Sequence, residues 1–114
     1  MESMIRDLAR KREKLVRDRI PEIIKASGRG PVVKRLTGKA LTAALVEKLT
    51  EELAGLLSAS GREQMLDEVG DLIEVALALA RQLGATEDDV TSSRAEKNPK
   101  NGAFAEGYYY SGDA

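Results

Sequence analysis

Hydrophobic and polar positions between residues 38 and 83 recur with the period of a helix. Counting about 100° per residue from Leu49, Leu45, Leu53, Leu56 and Leu57 gather around one direction, and Glu52 lies about 60° from it, on the flank of the stripe. The same count from Val69 places Met65, Leu66, Leu72, Ile73, Ala76 and Leu83 in a broad apolar arc, with Glu68 inside it and Asp71 about 60° further round. Two long helices follow, one from Thr37 or Gly38 to about Ser58 and one from about Arg62 to Leu83, stopped by Gly84. Ser58-Ala59-Ser60-Gly61 breaks the pattern between them. Each helix would be roughly 30 Å long, and so short a break implies an antiparallel hairpin.

The flanks add shorter pieces. Residues 1–13 read as a polar, charged extension, and residues 14–110 as one all-α domain. Pro21 and Glu22 suit the first turn of a short helix that Gly28 ends. Arg29-Gly30-Pro31 is a turn signal, and Val32-Val33 a brief extended piece. Thr86 is the expected N-cap of a further helix, with Glu87, Asp88 and Asp89 in its first turn and an end near Asn98-Pro99. The tail beyond Lys100 holds Phe104, Tyr108, Tyr109 and Tyr110, all the aromatic residues of the chain, and is expected to dock on the body or on a partner subunit. Val75, Leu77 and Leu79 widen the apolar arc past what one neighbouring helix covers, which predicts a homodimer or higher homo-oligomer with a shared four-helix core.

Composition narrows the chemistry. A chain of 114 residues with 42% hydrophobic and 4% aromatic residues builds a single core from Leu, Ile, Val and Ala. With no cysteine and no histidine, disulfides, thiolate metal sites, His-ligated zinc and His-based triads are excluded, leaving carboxylates, Lys, Arg, Tyr or an oxygen-held metal. The longest apolar run, Val75 to Ala80, is too short for a membrane span, and a cytoplasmic location is expected. Residues 1–40 carry 12 Lys and Arg against 5 Asp and Glu, a net of +7, whereas residues 41–114 carry 6 against 14, a net of −8. A basic arm beside an acidic body suits an anion held next to a metal, or simple self-complementarity. Nucleic-acid binding by the arm is the weaker alternative, because no aromatic residue interleaves with its basic ones.

The acidic residues give the sharpest signal. Glu68 and Asp71, three apart, share a helix face, and antiparallel packing brings Glu52 of the preceding helix toward them. Ionised carboxylates on a core flank are costly without a partner, and several together imply a compensating cation, for which Mg²⁺ is suited by its preference for oxygen ligands. The alternative is a solvated acidic face, or pairing with Lys48 or with the basic residues of 14–39. Arg17 and Arg19 likewise have a plain reading as solvated surface.

Glu51-Glu52 followed by Glu68-x-x-Asp71 resembles the EExxE…ExxD signature of the all-α NTP pyrophosphatases, the MazG-like and phosphoribosyl-ATP pyrophosphohydrolase-like group, with residues 56–67 as the spacer. Lys14-Leu15-Val16-Arg17-Asp18-Arg19-Ile20-Pro21 resembles the opening of its short members. Lys48-Leu49-Thr50 and Asp71-Leu72-Ile73-Glu74-Val75 resemble the central helices, and Lys97 followed by Asn101-Gly102-Ala103-Phe104-Ala105-Glu106-Gly107 resembles the ending. The resemblance implies a dimeric, Mg²⁺-dependent (or Mn²⁺-dependent) hydrolase that splits nucleoside triphosphates, non-standard ones included, into monophosphate and pyrophosphate. Glu52, Glu68 and Asp71 would hold the metal, Glu74 would assist, and Glu51 would orient or deprotonate the water. Arg17, Arg19, Lys48, Lys97 and Lys100 would contact phosphates. Two departures stand out: Gly55 occupies the third Glu position, where glycine costs a helix about 1 kcal/mol relative to Ala, and Asn101 replaces an Arg. A catalytically weak or inactive nucleotide-binding or dimerisation relative is the alternative that Gly55 leaves open.

Overall fold

In a computed structural model that describes residues 13–114, the chain folds into helices α1 (Ile20–Ala26), α2 (Gly38–Ser58), α3 (Gly61–Gln82) and α4 (Glu87–Asn101), with no strand among the described residues. The polar extension expected over residues 1–13 lies, apart from Glu13, outside the described residues.

Local chemistry explains most boundaries. Pro21 sits in the first turn of α1, where no N–H partner is needed, and Glu22 faces the positive end of the helix. The piece at Val32 and Val33 is extended but joins no sheet. Only Ala59 and Ser60 separate α2 from α3, and the Ser60 N–H donates to the side-chain oxygen of Gln64 at 3.0 Å. Gly61, at φ 82°, makes the reversal there, in a region where a side chain would be strained. Two long helices joined by two residues and packed along each other run antiparallel, as the periodicity implies.

Helix α4 opens with a capping box. The Asp89 N–H donates to the Thr86 hydroxyl oxygen at 3.1 Å, and the Thr86 N–H donates to the Asp89 carboxylate at 2.8 Å. Thr86→Ala is expected to cost about 1 kcal/mol and to lower the melting temperature by roughly 5 °C in a calorimetric scan. The expected end near Asn98-Pro99 needs correction, because α4 continues through Pro99 to Asn101. Proline removes only its own N–H from the ladder, and the next turn still closes, with the Gly102 N–H donating to the Asn98 carbonyl at 2.8 Å. Gly102, at φ 78°, then ends the helix.

The hairpin of α2 and α3 is the body, yet it closes over little. Leu45 (5% exposed) and Ala54 (3%) are the buried apolar residues among those described. Val46, Leu53 and Leu57 on α2, and Met65, Leu66, Val69 and Ile73 on α3, remain exposed at helical spacing. The radius of gyration is 17.4 Å, against about 13 Å for a compact domain of this length. Docking of the tail on its own body is also corrected: Phe104 is 97% exposed, and Tyr108, Tyr109 and Tyr110 are exposed as well. No described helix is long and apolar enough to cross a membrane.

Candidate metal centre

The short connection fixes the hairpin register, so the last two turns of α2 face the first turns of α3. Glu52 lies on the flank of the α2 stripe, and Glu68 and Asp71 lie one turn apart on α3. Each presents a carboxylate oxygen to the gap, and the three oxygens lie within 4.8 Å of one another, all on half-buried residues. Glu51, Glu52, Ala54, Gly55, Ser58 and Glu68 line a cleft of about 250 Å³. The Glu68 Oε2 atom is buried and has no hydrogen-bond partner among the described residues. It lies against Gly55: a Cβ built there would meet the Glu68 carboxyl carbon at 2.6 Å and its oxygens at 2.6 and 2.7 Å.

Basic side chains surround this group. The Lys48 ammonium lies 3.2 Å from Glu51 and 3.5 Å from Glu52, and Lys14 reaches Glu51 at 3.4 Å. The Arg17 guanidinium donates to Asp71 at 2.7 Å. Among the described residues Glu68 receives no such partner. An orphaned carboxylate oxygen, a donor set made only of carboxylates, and three oxygens close enough to share one ion fit a hard divalent cation.

Without a cation the crowding appears as a proton. Burial is the main cause that pushes the Glu52 carboxyl from its ordinary 4.5 up to about 7. A hydrogen bond shared with Glu68 comes next, and the Asp71 and Glu68 charges add to it, while Lys48 opposes. Two ionised carboxylates have no hydrogen to share, so the hydrogen bond between them needs one proton held by the pair. Since the folded value lies above the unfolded one, this group's stabilising contribution is complete below about pH 4.5 and is lost as pH rises through about 7. EDTA-treated protein should therefore lose melting temperature across that window, and Glu52→Gln should flatten the slope.

The other expected site residues divide. Arg17 and Lys48 come to the acidic group together with Lys14, so the pairing with Lys48 and with basic residues of 14–39 that the sequence leaves open is present. Arg19, the residue that precedes α1, pairs instead with Glu22 in that helix's first turn, and Lys100 with Glu96 at 3.5 Å. Lys97 lies on the same helix, and among the described residues neither lysine forms an ion pair with the triad. Glu74 pairs with Arg81 at 3.7 Å and is not part of the group of three. Gly55 and Ser58 line the cleft and carry no charge that sequence reading would mark as functional.

The chain is 53% identical over 53 residues to an uncharacterized protein of Mycolicibacterium smegmatis. The match covers 46% of this chain and 54% of that relative, so the chain spans about half the length of the relative it matches. No family model and no solved structure matches the chain.

Proposed function

We propose that this protein is a Mg²⁺-dependent pyrophosphohydrolase of nucleoside triphosphates, of the all-α kind that its motifs resemble, with Mn²⁺ as a working substitute. The observation that carries the reading is the meeting of Glu52, Glu68 and Asp71 within 4.8 Å, with a buried Glu68 oxygen left unpartnered. These three side chains would hold the ion, whose charge would draw in the phosphate oxygens and offset the charge that develops as the anhydride breaks.

The remaining steps belong to the chain's own groups. Glu51, on the cleft wall and held by Lys48 and Lys14, would orient the attacking water and accept its proton. Arg17, hinged on Asp71 at the edge of the group, would offer a two-pronged contact to a phosphate, and Lys48 a mobile positive charge. Hydrolysis of the α–β anhydride then yields a monophosphate and pyrophosphate. Arg19, Lys97 and Lys100 lie outside this first set of contacts.

The same reading includes a homodimer. The exposed stripes on α2 and α3 would pack against a second copy to give a four-helix core, with the aromatic tail as further apolar surface for the partner. A screen for pyrophosphate release over standard and modified triphosphates, with Mg²⁺ and with Mn²⁺, tests the activity, and release from none of them would sink it. The missing carboxylate at Gly55 favours a second reading, a nucleotide-binding relative without turnover. That protein would gain melting temperature with triphosphate and metal yet release no pyrophosphate.

A further inference from the structure

We propose that Gly55 is a positioning residue whose missing side chain makes the space in which the Glu68 carboxylate lies, between the hairpin helices and beside Glu52 and Asp71. This deepens the metal-centre reading above and rests on it. Carbon atoms in contact sit about 3.5–4.0 Å apart. A Cβ at residue 55 would stand 2.6 Å from the Glu68 carboxyl carbon and 2.6 and 2.7 Å from its two oxygens. All three atoms belong to the far end of one flexible side chain, so the carboxylate would swing away and the helices would stay where they are.

Helix chemistry alone gives no reason for glycine here. Position 55 lies deep inside α2 and is not among the residues of positive φ, so alanine suits its backbone better. Motif comparison reads Gly55 as a lost ligand. The geometry points elsewhere: the space is filled by a carboxylate from the facing helix, placed with one oxygen buried and free to bind. Gly70 provides the internal control. It too is a glycine inside a long helix, on α3, and a Cβ there meets nothing within 4 Å.

The test compares wild type, Gly55→Ala and Gly70→Ala. Mg²⁺ and Mn²⁺ binding is measured by titration calorimetry, metal-free melting temperature by scanning, and the Glu68 side chain by crystallography of the metal-free proteins. Both variants should melt at or above the wild-type temperature, because each gains helix propensity. Gly55→Ala should weaken metal binding by about tenfold or more and show the Glu68 carboxylate displaced, whereas Gly70→Ala should bind metal as wild type does. A Gly55→Ala protein with Glu68 unmoved, or with wild-type metal affinity, overturns the proposal. If wild type itself binds neither ion, the metal reading fails on its own, and the position of Glu68 in Gly55→Ala decides whether the glycine holds it there.

Discussion

On the pyrophosphohydrolase reading proposed above, Glu68→Gln is expected to lower pyrophosphate release by at least about 100-fold and to erase any rise in melting temperature on adding Mg²⁺, while the metal-free protein melts no lower. The last clause distinguishes a lost ligand from a damaged fold. In the wild type without metal, Glu68 and Glu52 face each other as two acceptors, and burial, followed by the hydrogen bond shared with Glu68, pushes the Glu52 carboxyl up to about 7. Glutamine has nearly the same shape, but its amide carries N–H donors. One of them would point at the Glu52 carboxylate and turn an acceptor–acceptor contact into a hydrogen bond, so the fold has no reason to suffer. For the metal the change is purely a loss: one of three charged oxygen donors becomes neutral, in a site that already lacks the fourth carboxylate of the motif it resembles. A Glu68→Gln protein that keeps wild-type turnover would show that the acidic group is not where the chemistry happens.

The helical periodicity gave away the body of this fold because side-chain burial in a hairpin follows the same 3.6-residue count that the sequence displays. α2, α3 and the Thr86 cap follow from local signals, while the break, read as Ser58 to Gly61, closes to Ala59 and Ser60 because Gly61 already opens α3. Convergence of Glu52, Glu68 and Asp71 was legible for the same reason: antiparallel helices with so short a connection leave little choice of register. Reading failed where the deciding contact was non-local. The sequence offers every basic residue of 14–39 as a partner for the acids, and it is the chain's path that picks Lys14 for Glu51 at 3.4 Å. Arg19 looks as suitable as Arg17 for a phosphate, yet one turn of α1 sends it to Glu22. Gly55 is the sharpest case, since a residue without a side chain leaves no chemical mark and its role shows only in what occupies its space. Pro99 misled in the opposite way: the local rule was sound, but one missing hydrogen bond near a helix end is outweighed by a further closed turn.

If the proposed homodimer forms, Ile73→Glu is expected to leave a monomer that unfolds at a much lower temperature. Within one chain the hairpin fully buries little beyond Leu45 and Ala54, while Met65, Leu66, Val69 and Ile73 form an exposed band along α3. Fully burying a side chain of this size stabilises by about 1.5–3 kcal/mol, and since Ile73 is already 56% exposed rather than fully so, its share on pairing is roughly half of that, or about 1.5–3 kcal/mol per dimer with both copies counted. A glutamate in its place forfeits that gain and sets an unpaired charge on each side of the interface, which costs several kcal/mol more unless the helices part. Parting leaves a hairpin with almost no core, so assembly and folding should fail together, and the loss of stability should deepen on dilution. Arg94→Glu, on the exposed surface of α4, should change neither property. Size-exclusion chromatography with light scattering reads the mass directly, and a wild-type protein that runs as a stable monomer at micromolar concentration would contradict the shared core.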